Sequence, residues 1–164
     1  PWADLTLTAD GWCLNAGLDE SNANDQLILL PTKPFEQAWL IRQYLVKRFK
    51  LKQLGVIISD TKSLPLRVGT TGRALAYAGF EPLKSYIGKP DLFDRKSRLT
   101  ESNLADALAA SAVIVMGEGN EQTPLAIIKN APVKFSNKNI TGLKNKSLSL
   151  SPGKDIFAKV FKQN

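Results

Sequence analysis

Three polar loops of this 164-residue chain carry the side chains that could do chemistry. They are NAGLDESNAN at 15–24, SDTKSLPLRVGTTG at 59–72 and MGEGNEQTP at 116–124, and each adjoins a strongly apolar segment. Carboxylates at strand ends are natural Mg²⁺ ligands, and glycines let backbone N–H groups approach phosphates. Ligands of α/β sheets collect at the carboxyl ends of strands, where we expect Asp60 and Thr61 to lie. The loops therefore predict metal-assisted phosphate chemistry.

The acids of these loops also have simple structural interpretations. Asp19 is typical of a loop carboxylate that bonds its own backbone, and Asp60 of a residue that initiates a turn. Glu118 and Glu121, each taken alone, are typical of solvated side chains. None of the loops is a Walker motif, a Rossmann fingerprint or an EF-hand. The residues alone leave both interpretations open.

The composition limits the kinds of site that this chain can build. It contains no histidine, which excludes Ser-His-Asp triads, Cys-His dyads and histidine-ligated zinc. A site made of carboxylates, hydroxyls, lysines and backbone groups favours Mg²⁺ or Mn²⁺ over Zn²⁺. The single cysteine, Cys13, has no partner for an internal disulfide and lies in the apolar run GWCLNAG. We expect it to be a small buried hydrophobic residue.

The net charge of +7 comes entirely from the C-terminal part of the chain. Residues 1–128 contain 14 Lys or Arg and 14 Asp or Glu, whereas residues 129–164 contain 8 Lys and one acid. Aromatic residues that could stack on bases are not interleaved with these lysines, so we expect no specific nucleic-acid partner. We also expect no membrane segment and no signal peptide, and hence a cytoplasmic protein.

Hydrophobic patterns predict the elements that position the loops. DLTLT, the turn Asp10-Gly11 and WCLNAG predict a hairpin, and QLILL and GVIIS predict buried strands on either side of a helix that begins at Pro34. This order indicates a crossover between parallel strands. RALAYAGF fits a strand or a helix, Thr100 a helix N-cap, and LAIIKN another buried strand. A short terminal helix would carry an apolar stripe of Ile156, Phe157, Val160 and Phe161.

Several long motifs, taken together and in order, resemble one known family. The motifs are NAGLDESN, GVIISDT, YAGFEPL, GKPDLF, ADALAASAVIVMGEG and TPLAII. They are similar to those of the gamma-glutamyl ligases that act on a deazaflavin coenzyme, the coenzyme F-420:L-glutamate ligases, and most similar to the branch assigned to folate metabolism. The resemblance covers residues 1–130, which we interpret as the catalytic and metal-binding region. It covers the basic tail at 131–164 poorly.

The resemblance implies a fold, a reaction and partners. The fold would be α+β, with a mixed sheet and packed helices, in a homodimer that binds nucleotide in a groove. GTP would phosphorylate an acceptor carboxylate, and the amine of L-glutamate would attack the acyl phosphate. Mg²⁺ or Mn²⁺ would be required, and K⁺ would assist.

The resemblance also implies roles for particular residues. Asp19, Asp60, Thr61 and Glu118 would be metal ligands. The nucleotide would be contacted by Asn22 and by the loop made of Gly117, Glu118, Gly119, Asn120, Glu121, Gln122, Thr123 and Pro124. No catalytic residue is assigned, and the roles of Lys62 and Arg67 stay open.

Two departures from the family bear on the acceptor and on the extent of the chain. Lys62-Ser63-Leu64 stands where coenzyme ligases have Phe-Gly-Arg, so deazaflavin, folate-like and other carboxylate acceptors all remain open, as does the number of glutamates added. A segment that precedes Pro1 in the family is absent, so we expect a partial chain that would contact that segment. The alternatives to a ligase are a metal-dependent nucleotide-binding or phosphohydrolase domain and a tail-driven RNA or membrane binder.

Overall fold

The computed structural model describes residues 4–8, 11–141, 148–150, 152–156 and 159. The chain divides into two compact units, residues 1–32 with 143–164 and residues 33–142. The described helices and strands are β1 (Leu5–Thr8), β2 (Gly11–Leu14), α1 (Pro34–Phe49), β3 (Val56–Ser63), β4 (Thr70–Ala78), β5 (Leu83–Ser85), β6 (Glu101–Asn103) and α2 (Leu104–Met116). Short 3-10 turns lie at Asn15–Gly17 and Pro152–Lys154. The α+β class is confirmed.

In the first unit, β1 and β2 form the predicted antiparallel hairpin, with Leu5 opposite Leu14. Its turn, at 9 and 10, lies outside the described residues. Cys13 is buried, as predicted, and its Sγ lies 3.5 Å from Thr8 Oγ1. Of the predicted terminal helix, residues 157, 160 and 161 also lie outside the described part, and Ile156 is exposed.

The prediction of a buried strand at QLILL is wrong. Only one bridge forms there, between Asp19 and Ile28, and Leu27 and Leu29 are more than half exposed. The chain between the bridged residues turns through left-handed conformations at Asn22, Asn24 and Asp25, and the residues before Asp19 form the 3-10 turn at Asn15–Gly17, so neither side of the bridge continues as a ladder. An apolar run becomes a strand only where a partner strand lies alongside it, and none is described beside this one.

In the second unit, α1 begins at Pro34, as predicted, and ends where Lys50 adopts a left-handed conformation. The helix buries Phe35 and Ala38, and the ring of Phe35 meets that of Tyr77 edge-on at 5.5 Å. The predicted parallel crossover around α1 is wrong, since β3 pairs antiparallel with β4. The described strand pairs are antiparallel throughout.

The β3–β4 hairpin corrects the expected position of Asp60 and Thr61. The strand does not end before them but continues to Ser63, because Asp60 lies opposite Arg73 and Thr61 opposite Gly72 in the ladder. Asp60 therefore does not initiate a turn. RALAYAGF, which fitted a strand or a helix, is largely strand β4.

Small residues on β4 let α2 pack closely on this hairpin. A Cβ atom on Gly72 would lie 2.7 Å from the carbonyl oxygen of Ala109 and 2.7 Å from Val113 Cγ2. Ala74, Ala76 and Ala78 are buried, as are Ala105 and Ala109 of the helix. The contact between helix and strands is therefore nearly backbone to backbone.

Asp106 fixes the start of α2 to a bulge in the hairpin. The register shifts between Ile58 and Ser59, and the Ala74 N–H donates to Asp106 Oδ1 at 2.8 Å. Asn103 accepts the Asp106 N–H at 3.1 Å and is the N-cap. The N-cap predicted at Thr100 is wrong because the residues after it form β6, which pairs with β5.

The buried strand predicted at LAIIKN is also wrong. Leu125 and Ile127 are 88% and 87% exposed, and no described strand lies beside them. Among the helices that the structure describes, none combines the length and the apolar character needed to cross a membrane.

We predict that Gly72→Ala destabilises the protein by about 1–3 kcal/mol, because the added methyl group would overlap the backbone of α2. Gly153→Ala is the matched control, since a Cβ there meets no atom within 4 Å. Chemical denaturation measures both variants. Equal unfolding free energies for the two would contradict the close packing of α2 on β4.

Candidate functional site

The candidate site centres on a hydrogen bond between two predicted metal ligands. Thr61 Oγ1 donates to Glu118 Oε2 at 3.0 Å, across 57 positions of the chain. Thr61 lies opposite Gly72 in the ladder, so its side chain faces α2. The first turn of the helix contacts Ala74. Further along the helix, Ala109 and Val113 lie over Gly72. Its C-terminal end therefore brings Glu118 to Thr61.

The loop after α2 folds back on itself through glycine and glutamate. Gly117 has a φ of 79° and a ψ of 174°, a backbone conformation that is essentially restricted to glycine. The Gly119 N–H donates to Glu121 Oε2 at 2.8 Å. Thr123 Oγ1 donates to the carbonyl oxygen of Met116 at 2.8 Å, which ties the loop to the last turn of the helix.

Most residues of the predicted nucleotide loop, from Gly117 to Pro124, are exposed. Gln122 adopts a left-handed conformation with a φ of 55°. Asn120 and Pro124 are exposed. Glu118 and Glu121 are not merely solvated, as their residue types alone suggested, because each accepts a hydrogen bond within the site.

Asp60 lies on the other face of the hairpin from Thr61. Neighbouring side chains of a strand point in opposite directions, and Asp60 Oδ2 lies 3.9 Å from Arg73 Nε, its partner across the ladder. Arg73 is largely buried and Asp60 is partly exposed. The structure thus brings Thr61 and Glu118 together and pairs Asp60 with a cation instead.

Asp19 belongs to the unit made of residues 1–32 and 143–164. It is a loop carboxylate that bonds the backbone of its own loop, which was the simpler of the two interpretations of this residue. Its Oδ1 accepts the Ser21 N–H and the Ser21 hydroxyl, both at 2.8 Å. These hydrogen bonds stabilise the ionised carboxylate, the backbone one most, and lower the pKa of Asp19 below its ordinary value. Asn22 follows in the same turn with a φ of 54°.

Three residues that shape the site were missed in the sequence. Gly72 lies in the segment that the sequence predicts as a loop, Arg73 in the run that fits a strand or a helix, and Asp106 is in none of the predicted sites. The Asn103-x-x-Asp106 spacing resembles a helix N-terminal capping signature and could have located the start of α2. The contact at Gly72 leaves no local signal in the sequence.

The spacing of Thr61 and Glu118 is that of an ordinary O–H···O hydrogen bond and also allows both oxygens to bind one small divalent cation. Adjacent ligands of an octahedral Mg²⁺ ion lie about 2.9 Å apart, as follows from metal–oxygen distances of about 2.0–2.1 Å. Thr61 Oγ1 and Glu118 Oε2 are 3.0 Å apart. Among the described residues, no group of three His, Cys, Asp or Glu side chains could hold a metal. Mg²⁺ commonly uses one or two carboxylates and fills its shell with water and phosphate oxygens, so a hydroxyl and one carboxylate are a suitable donor set.

Comparison with known proteins identifies the family. The sequence pattern of the family described as F420-0:Gamma-glutamyl ligase matches residues 5–130, which include Asp19, Asp60, Thr61 and Glu118. The chain belongs to this family. The resemblance to the gamma-glutamyl ligase family is therefore confirmed, and the matched segment contains all the predicted site residues.

Curated relatives of this chain carry the name coenzyme F420:L-glutamate ligase. The chain is 42% identical over 134 residues to the protein from Methanococcus maripaludis, an alignment that covers 81% of this chain and 54% of that protein. Identity to the Methanocaldococcus jannaschii protein is 41% over 134 residues, covering 81% and 53%. Identity to the Methanothermobacter thermautotrophicus protein is 41% over 121 residues, covering 73% and 48%. The chain spans about half the length of these relatives.

We predict that Ser21→Ala raises the pKa of Asp19 only part of the way to its ordinary value, because the backbone N–H of residue 21 remains a donor. A lowered folded-state pKa adds stability above the unfolded-state pKa, and that stability is lost as the pH falls through the folded-state pKa. NMR titration of the Asp19 carboxyl carbon measures the change. An ordinary pKa in the unaltered protein would show that the Ser21 hydrogen bonds do not form in solution.

Proposed function

We propose that the protein is a GTP- and divalent-metal-dependent gamma-glutamyl ligase that joins L-glutamate to an acceptor carboxylate. The observation that carries this proposal is the Thr61–Glu118 pair beside a glycine loop, within the segment that matches the family. The names of the curated relatives support the same reaction class. The acceptor stays open among deazaflavin, folate-like and other carboxylates.

The proposed reaction has two steps. An oxygen of the acceptor carboxylate attacks the γ-phosphorus of GTP, the bond to the β–γ bridging oxygen breaks, and GDP leaves. The amine of L-glutamate then attacks the acyl carbon, phosphate leaves with the electrons of the C–O bond, and the nitrogen loses a proton. A bound divalent cation would offset the negative charge of the phosphates during transfer.

Thr61 and Glu118 are the residues that we propose for holding this cation. When Thr61 no longer donates to Glu118, its oxygen lone pairs and those of the carboxylate are available on one side of the hairpin. Asp60 and Asp19 also stay proposed ligands, on the family resemblance alone, because the structure pairs Asp60 with Arg73 and Asp19 with Ser21.

The loop from Gly117 to Pro124 is the proposed nucleotide contact, together with Asn22. Within the loop, the Glu121 carboxylate accepts the Gly119 N–H at 2.8 Å. A carboxylate oxygen stands there in the position that a phosphate oxygen would take on the same donor. The glycines leave this N–H accessible, and the loop can exchange an internal anion for an external one. K⁺ and the homodimer remain proposals that rest on the family resemblance.

We predict that Glu118→Gln and Thr61→Val each weaken Mn²⁺ binding by about tenfold, or about 1.4 kcal/mol, because each removes one oxygen ligand. Glu36→Gln is the matched control, since Glu36 is an exposed acid of α1 whose ion pair is with Lys33, the residue before the helix. Mn²⁺ titration followed by electron paramagnetic resonance measures all three. Affinities of the two site variants equal to that of the control would exclude Thr61 and Glu118 as ligands.

The reaction class is tested with mass spectrometry of the products. The complete protein, incubated with GTP, Mg²⁺, L-glutamate and a panel of acceptors, is expected to add a glutamyl residue to one of them and to release GDP and phosphate together. Glu118→Gln should reduce this product. Phosphate release from GTP that needs neither glutamate nor acceptor would instead show a phosphohydrolase.

A further inference from the structure

An open cavity lies at the N-terminal end of α2, far from the Thr61–Glu118 pair. Its volume is about 430 Å³, within the usual range for small-molecule sites. Leu83, Leu104 and Val133 give it an apolar wall. Leu104 begins α2, whose 13 residues span about 20 Å at 1.5 Å per residue, whereas Glu118 follows the other end. The cavity is therefore separate from the proposed cation site.

Three lysines line this cavity, and two of them are held on one aromatic ring. The Nζ atoms of Lys84 and Lys89 lie 5.2 and 5.5 Å from the ring centroid of Tyr86. Both distances are within the range of a cation–π interaction. The shared ring keeps two like charges at most about 11 Å apart. An anion that contacts both ammonium groups would relieve their mutual repulsion.

The backbone at each of the three lysines is fixed by hydrogen bonds. Lys84 lies opposite Ser102 in the β5–β6 ladder. The Lys89 N–H donates to the Tyr86 carbonyl oxygen at 3.0 Å, and the Lys134 carbonyl oxygen accepts the Glu81 N–H at 2.9 Å. These hydrogen bonds fix the backbone from which the three exposed lysine side chains reach the cavity.

The balance of charge and apolar surface selects the chemical class of the ligand. The lining has one acid, Glu81, whose Oε1 accepts from Lys134 Nζ at 2.8 Å. Three lysines against this one carboxylate leave a net charge of +2. A phosphate ion would use the cations but not the apolar wall, whereas two carboxylates joined by a short aliphatic chain use both.

We propose that this cavity binds a small dicarboxylate of the glutamate type. One carboxylate lies between Lys84 and Lys89, and the aliphatic chain packs on Leu83 and Leu104. The second carboxylate lies at Lys134. This site does not depend on the proposed ligase reaction, because it lies at the opposite end of α2 from Thr61 and Glu118.

The test uses isothermal titration calorimetry of the protein with glutarate, with butyrate and with inorganic phosphate, without nucleotide or metal. Glutarate is expected to bind about tenfold more tightly than butyrate, since only glutarate carries a second carboxylate. Lys84→Gln with Lys89→Gln should weaken glutarate binding by about tenfold. Glu81→Gln should strengthen it, because Lys134 would lose its internal partner.

Matched variants separate this site from general attraction to a basic protein. Lys129→Gln with Lys138→Gln makes the same charge change at two exposed lysines outside the cavity and should leave glutarate binding unchanged. Glu118→Gln should also leave it unchanged, so a failure of the ligase proposal is distinguishable from a failure of this one. Tighter binding of phosphate or equal binding of butyrate would overturn the proposal. So would an equal loss of affinity in the double variant Lys129→Gln with Lys138→Gln.

Discussion

The close approach of α2 to the β3–β4 hairpin is the constraint on which the rest of the 33–142 unit depends. At Gly72 the strand has no side chain, and the carbonyl oxygen of Ala109 occupies the position that a Cβ would take. Asp106 bonds the Ala74 N–H at the bulge and sets where along the hairpin the helix begins. These contacts fix the position of α2 along the hairpin. They therefore place Glu118 beside Thr61 after one end of the helix and Leu104, at the other end, in the wall of the cavity that Leu83 also lines.

Polar groups of the candidate site satisfy one another within the chain. The Thr61 hydroxyl bonds the Glu118 carboxylate, and the Glu121 carboxylate bonds the Gly119 N–H. All four groups lie near the surface, where a hydrogen bond contributes only about 0.5–1.5 kcal/mol net. A cation on the first pair and an anion on the second donor can therefore replace these internal partners at small cost. The arrangement suits the reversible metal and phosphate binding that we propose for this site.

Local sequence signals predicted the elements whose stability is largely local. Pro34 and the helical spacing of Phe35 and Ala38 located α1, and alternation with a turn signal located the β1–β2 hairpin. QLILL and LAIIKN were wrongly predicted as buried strands because an apolar run does not reveal whether a partner strand exists. The polar half of β3, residues 60–63, was not predicted as strand. It is a strand because it pairs with β4, although its side chains are polar.

The candidate site could be predicted in part. The motifs supplied Thr61 and Glu118 through the family resemblance, but not their contact, which requires the packing of α2 on Gly72. That Asp60 and Thr61 face opposite sides follows from strand alternation, once β3 is known to extend to Ser63. The ion pair of Asp60 with Arg73 depends on the register of the hairpin, which the bulge shifts by one residue.

The most direct test of the cation site is paramagnetic line broadening by NMR, with Mn²⁺ added well below one equivalent to isotope-labelled protein. The strongest broadening is expected at the Thr61 methyl group and at the amides of Gly117 and Gly119. Broadening should be much weaker at β6, about 20 Å away along α2. Uniform broadening, or broadening strongest at β6, would contradict a cation held by Thr61 and Glu118.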